Sequence, residues 1–127
     1  YNMKELIDYL VEKNIVVGVV TNKHSRYVNR IIEGLNLSDK LSCVITGDMV
    51  SNPKPDIDGL IQAAEVTKCN VAETIYVGDD ERDIVAGRNA GMMTVAADFG
   101  FINSDTNIRL WKADAIINDP LDLKKYI

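Results

Sequence analysis

The sequence lacks what would place it in a membrane, among disulfide-held secreted domains or on nucleic acid. No apolar run in its 127 residues approaches the roughly 20 needed to cross a bilayer, and no charged-then-apolar leader is seen, so a cytoplasmic protein is expected. Cys43 and Cys69 form no metal-spaced pair and suggest no disulfide framework; both are expected as reduced thiols. Basic residues are scattered through a chain of net charge −5, with no stripe to follow a phosphate backbone. An acidic protein still binds a single phosphate where a local cation and a few backbone N–H groups converge. Repeats, low-complexity stretches and linkers are absent too. With 46% apolar and 26% charged residues, the chain reads as one domain over 1–127, long enough for one core and too short for two.

What is present is alternation. Five short Val- and Ile-rich runs, Ile15–Thr21, Ser42–Gly47, Thr74–Gly78, Met93–Ala97 and Ala115–Asn118, are mostly continuous, as strands covered on both faces should be. Between them lie helical stripes: Met3, Leu6, Ile7, Leu10 and Val11; then Tyr27, Val28, Ile31, Ile32 and Leu35; then Ile57, Leu60, Ile61 and Ala64. Stop signals fit this division: Asn14 closes the first helix, Gly34 and Asn36 flank the end of the second, and Gly91 follows the fourth. Strand and helix alternating throughout predict an α/β fold with a doubly wound parallel sheet. Only Asp48–Pro55, with Pro53 and Pro55, reads as a long irregular loop.

Ligands of open parallel sheets bind beyond the carboxyl ends of the strands. Here the first strand ends in Thr21-Asn22-Lys23, and the second in Gly47-Asp48, leading to Asn52-Pro53-Lys54-Pro55. The third ends in Gly78-Asp79-Asp80-Glu81-Arg82-Asp83 and the fourth in Asp98. A threonine and free N–H groups at a helix start favour an anion. A lysine held between prolines offers a compact positive charge to a phosphoryl group. Crowded carboxylates need a cation, and hard oxygen ligands with few protein donors suit Mg²⁺. Together these are the parts of a phosphoryl-transfer site.

In that order and spacing the chain resembles the haloacid dehalogenase-like hydrolases. Val19-Val20-Thr21-Asn22-Lys23 resembles the family's second motif, Lys54-Pro55 the third, and Gly78-Asp79-Asp80-Glu81-Arg82-Asp83 the fourth. Ala86-Gly87-Arg88-Asn89-Ala90-Gly91-Met92, Phe99-Gly100-Phe101-Ile102, Trp111 with Ala113-Asp114, and Ile117-Asn118-Asp119-Pro120-Leu121 are similar to the phosphoglycolate phosphatase branch. Ile57 departs from it, where the branch often carries a second proline. The resemblance implies a Rossmann-like core and Mg²⁺-dependent hydrolysis of a small phosphorylated metabolite. Thr21 and Asn22 would hold the phosphoryl group, and Lys54 would offset charge on it and on the nucleophile. Asp79 would ligate Mg²⁺; Asp83 would help through a bound water or by orienting Lys54, with Asp80 a secondary candidate.

The family's first motif, a strand ending in Asp-x-Asp-Gly whose first Asp forms an aspartyl-phosphate, is not found. Asp56-Ile57-Asp58-Gly59 matches the string but follows prolines and opens a helix, where acids serve capping and the dipole. The family's cap region is also not found. The chain is therefore expected to be the downstream part of a larger enzyme, without its first strand and inactive alone. That strand would lie between Ile15–Thr21 and Thr74–Gly78, leaving two unpaired edges open to swapping or homodimerisation. A phospho-acceptor receiver domain uses similar residues but places its acidic pair first and its Thr and Lys later. A dehalogenase is disfavoured by the metal-suited acids, and a non-catalytic phosphate-binding remnant is the other alternative. Phosphoglycolate is the implied substrate, with a sugar phosphate such as N-acetylmuramic acid 6-phosphate as alternative. His24 is expected at the surface and Trp111 in the core; Asp48 and Asp98 could line the crevice or serve turns.

Overall fold

The computed structural model describes residues 2–99 and 107–127; Gly100, Phe101 and Ile102 lie outside them. Helix α1 (Asn2–Glu12) leads to strand β1 (Gly18–Val20), helix α2 (Ser25–Gly34) and strand β2 (Cys43–Ile45). Helix α3 (Asp58–Thr67) precedes β3 (Ile75–Gly78), helix α4 (Glu81–Asn89), β4 (Met93–Ala97) and β5 (Ala115–Ile117). All five expected strands form: β4 keeps its expected bounds, and the other four are shorter than the runs that announced them.

Every pairing is parallel. β1 pairs with β2, Val19 opposite Val44; β3 pairs with β4, Val77 opposite Val95; β4 pairs with β5, Ala96 opposite Ile116. The ladders form two sheets, β1-β2 and β3-β4-β5, so the sides of β1 and β3 that face no ladder partner are open among the described residues. Burial reports the same thing: β4, paired on both sides, is buried at Thr94, Val95, Ala96 and Ala97, whereas all four residues of β3 are only half-buried.

The period-2 alternation of side chains divides the core. On one face, Val95 and Ile117 pack with Leu6 and Leu10 of α1 and with Leu123, joined by Ile75, Val77, Ile15 and Val17. On the other, Leu60 and Ala64 of α3 meet Ala86 and Ala90 of α4, with Val20 and Tyr76 against them. Helices on both faces of parallel strands are the doubly wound arrangement expected. Trp111 is buried with Ile84 and Ala96, as its core assignment requires.

The stop signals act through left-handed backbone: Asn14 (φ 59°), Asn36 (φ 56°) and Gly91 (φ 86°). In one respect the expectation fails. Alternation with helices does not run to the end: the described part of the β4–β5 connection contains only a 3₁₀ turn, Ile108–Trp111, and another, Pro120–Tyr126, follows β5. Asn107 starts the first turn by accepting from the Arg109 N–H, and Lys112 at φ 62° ends it after four residues. The last turn is fixed to α1, since the Asn2 amide donates to both Asp119 oxygens at 3.1 and 2.8 Å.

Candidate functional site

β1 delivers Thr21 to the mouth of the sheet. The Thr21 N–H continues the ladder by donating to the Ile45 carbonyl (3.0 Å), and its hydroxyl accepts from the Lys23 N–H (3.2 Å). Thr21 thus shapes the turn before α2 but does not cap it. The cap is His24, whose Nδ1 accepts from the Arg26 N–H at 3.1 Å while its side chain stays at the surface. Asp48 reinforces the same corner: its carboxylate accepts from the Thr46 hydroxyl (2.7 Å), the Ser25 N–H (2.8 Å) and the Ser25 hydroxyl (2.9 Å). Those donors, the Thr46 hydroxyl first, hold its carboxyl well below the usual carboxylate range. Asp48 therefore has a turn-fixing role. Gly47 lets this corner close, because a Cβ there would lie 2.1 Å from the Asn22 carbonyl oxygen.

Asn22 ties this corner to the proline loop. Its side chain accepts from the Lys54 N–H (2.9 Å) and donates to the Lys54 carbonyl (3.2 Å), a two-point clamp between residues 32 apart. Pro53 precedes Lys54, and the Lys54–Pro55 peptide is cis. The clamp and the prolines send the Lys54 side chain inward, where only 10% of it is exposed.

Its ammonium there meets a built polar node. It pairs with Asp83 Oδ1, donates to the Tyr76 hydroxyl at 2.8 Å and reaches the Val20 carbonyl at 3.3 Å. Asp83 Oδ2 accepts the N–H groups of Asp79 and Asp80, both at 3.2 Å, so the buried carboxylate is satisfied on both oxygens. This proximity depends on Gly78, where a Cβ would sit 2.2 Å from that of Asp83. A buried ion pair is tolerated where such additional hydrogen bonds exist.

The remaining acids divide their work. Asp80 is the N-cap of α4, accepting from the Arg82 N–H (2.9 Å) and Nε (3.1 Å), and Arg82 lowers its carboxyl's pKa. Asp79 is exposed; its backbone N–H is bound to Asp83, and its carboxylate has no hydrogen-bond partner among the described residues. No group of three or more acids, histidines or cysteines converges to hold a metal by itself among the described residues. Of Asp79, Asp80 and Asp83, Asp79 is the one whose carboxylate is both exposed and without a hydrogen-bond partner among the described residues. Asp98, at the end of β4, bonds through its backbone, its N–H donating to the Ile117 carbonyl at 2.8 Å.

Asp56 lies elsewhere in role. Its carboxylate accepts from the Asp58 N–H (3.1 Å) at the start of α3, and Asp58 accepts from the Asn52 amide (3.0 Å). Both acids of the Asp-x-Asp-Gly string thus serve the loop and helix entry. The open groove of about 450 Å³ beside α3, lined in part by Val50, Ile57 and Ile61, contains neither Thr21, Lys54 nor Asp79. Sequence reading missed Tyr76; its one signal is an aromatic hydroxyl in an otherwise aliphatic strand immediately before Val77-Gly78-Asp79.

Residues 1–97 match the family model of haloacid dehalogenase-like hydrolases. The chain is 39% identical over 125 residues to an N-acetylmuramic acid 6-phosphate phosphatase of Pseudomonas putida, covering 98% of this chain and 56% of that protein. It is 33% identical over 122 residues to a phosphoglycolate phosphatase of Escherichia coli, covering 96% and 48%. It superposes on the crystal structure of a predicted phosphoglycolate phosphatase from Haemophilus somnus with a TM-score of 0.91 at 26% identity, over 98% of this chain and 55% of that one. The chain spans about half the length of the curated relatives it matches. By motif order, fold and similarity over nearly its whole length, the chain belongs to the haloacid dehalogenase-like hydrolases, in their phosphoglycolate phosphatase-like branch.

Proposed function

We propose that this chain supplies the phosphate- and metal-handling half of a Mg²⁺-dependent, cytoplasmic phosphomonoester hydrolase. The observation that carries this reading is the buried Lys54–Asp83 pair at the strand ends, with Thr21 and Asn22 on one side and, on the other, an Asp79 carboxylate unpartnered among the described residues. Lys54 is held with its charge paired, and Asp83 fits the role of orienting it. Thr21 and the backbone beside it offer donors to phosphoryl oxygens. Asp79 would hold Mg²⁺, with Asp80 and Asp83 contributing through water. Mg²⁺ would offset the negative charge of the phosphoryl group. On this reading the chain by itself binds phosphate without turnover, because a strand ending in Asp-x-Asp-Gly is not found in it.

Relatives named for two substrates match nearly the whole chain, so the part present here is common to both. Phosphoglycolate is the first substrate to test. N-acetylmuramic acid 6-phosphate is the second, favoured by the 39% identity to the P. putida phosphatase. The open edges of β1 and β3 are where a further strand, or a second copy of the chain, would pair.

Titration calorimetry with inorganic phosphate, with and without Mg²⁺, tests the reading. Binding should require Mg²⁺ and disappear in Lys54→Met and Asp79→Asn. Equal binding by wild type and both variants would overturn it, as would phosphomonoester turnover by this chain that is lost in Asp56→Asn.

A further inference from the structure

Three strand-end segments of this fold meet at one hydroxyl. Tyr76 lies on β3, in the sheet that does not contain β1, yet its hydroxyl donates to the Val20 carbonyl at 3.0 Å. The same oxygen accepts from the Lys54 ammonium at 2.8 Å. Val20 is the last residue of β1, and its carbonyl belongs to the peptide whose N–H is that of Thr21. That N–H donates to the Ile45 carbonyl on β2, while the carbonyl on its far side receives both Tyr76 and Lys54. The peptide leading into Thr21 is therefore held from both directions. Of its three hydrogen bonds, the one from Tyr76 comes from the other sheet on a side chain.

We infer that Tyr76 is a positioning residue, whose hydroxyl fixes the Lys54 ammonium and the Val20–Thr21 peptide relative to each other. The inference rests on the proposed phosphate site for its consequence, but its geometry stands without that reading. A hydroxyl has one hydrogen and two lone pairs, so a donor on one side and an acceptor on the other satisfy it directionally. Lys54 has three hydrogens, and Asp83, Tyr76 and Val20 take all three where only 10% of the lysine side chain is exposed. A long flexible ammonium is thereby given one orientation. Burial, and then the Asp83 and Asp79 charges, push the Tyr76 phenol well above its usual range, so it remains a donor.

Phenylalanine keeps the ring packing on the α3–α4 face and removes only the hydroxyl, so Tyr76→Phe separates positioning from packing. Lys54 acylation by limiting acetic anhydride, read by mass spectrometry, should be slow in the wild type and about fivefold faster in Tyr76→Phe. Exposed Lys68 and Lys112 should be unchanged. Inorganic phosphate with Mg²⁺ should bind Tyr76→Phe about fivefold more weakly. Unaltered Lys54 acylation in Tyr76→Phe would overturn the inference even if phosphate binds. Conversely, Tyr76-dependent protection of Lys54 in a chain that binds no phosphate would overturn the functional reading alone. Should Tyr76→Phe not fold, wild-type NMR decides. A slowly exchanging Tyr76 hydroxyl proton with a contact to the Lys54 side chain is expected, and absence of that contact overturns the inference.

Discussion

Asp79 and Asp83 stand in one motif, four positions apart, and have opposite circumstances. Asp83 is buried, with each oxygen committed to a donor; Asp79 is exposed, with its carboxylate unengaged among the described residues. The same contrast holds for the regions around them. The interior node of Lys54, Tyr76, Asp83 and the Val20 carbonyl is saturated, so removing any member strands another in low dielectric. At the rim, Asp48, Asp80 and Thr21 fix turns and helix starts near water, where each contact matters less to stability. Interior groups thus set the geometry, and the Asp79 carboxylate at the rim is the one proposed to meet a cation. Breaking each region in turn should show this division.

The largest effect is expected from Asp83→Ala. It leaves the Lys54 charge buried without its partner and takes the acceptor from two N–H groups, and removing one member of a buried pair costs about 3 kcal/mol or more. Urea unfolding measures it; a loss below about 1 kcal/mol, the scale of an exposed pair, would erase the contrast between node and rim. Gly78→Ala should follow, at about 2 kcal/mol, because its methyl must displace the Asp83 Cβ in a packed site. Asn22→Ala removes the two exposed hydrogen bonds that hold the Lys54 backbone and should cost about 1 kcal/mol in the same measurement.

Much of this could be read in advance, for identifiable reasons. Continuous Val and Ile runs located the strands, and parallel topology then forced their carboxyl ends to one crevice, so Thr21, Lys54 and Asp79 to Asp83 were brought together before any coordinate. The family resemblance already set Asp83 beside Lys54 and apart from Asp79, but residue type and spacing alone did not separate them. Two aspartates in one short run look alike until Gly78 admits one of them against the backbone of β3. Asn22 beside Thr21 suggests a phosphate donor, and no local signal announces the two hydrogen bonds its amide makes to the Lys54 backbone. Tyr76 looked like an ordinary strand aromatic because its partners are 22 and 56 positions away. The 3₁₀ turns Ile108–Trp111 and Pro120–Tyr126 lie past the segments whose spacing supports a helix, so alternation alone does not announce them.

At the rim the expected effects shrink and become conditional on pH. The Thr46 hydroxyl, then the Ser25 N–H, hold the Asp48 carboxyl below its ordinary value of 3.8. A carboxyl with a depressed folded-state value contributes stability above its unfolded value, and that contribution is lost as pH falls through the folded one. Wild type should therefore lose thermal stability on acidification below about pH 4 more steeply than Asp48→Asn. Equal midpoint shifts between pH 6 and pH 3 would remove Asp48 from the corner's support.

The smallest effect on stability belongs to Asp79→Asn, and it sharpens the comparison most. The substitution keeps the Asp79 N–H bond to Asp83 and takes from the described structure no hydrogen bond made by the Asp79 carboxylate. Surface changes of this kind fall within about 0.5 kcal/mol, so the urea midpoint should match wild type. Mg²⁺-dependent phosphate binding should nevertheless vanish, while in Asp83→Asn both stability and binding should fall together. A destabilised Asp79→Asn would mean that its carboxylate is structural, and the cation would then need another ligand. A stable variant that keeps its Mg²⁺ response would move the metal to Asp80, whose carboxylate must first release Arg82. Loss of binding at unchanged stability is the outcome that separates the acid reserved for the ligand from the acid reserved for the fold.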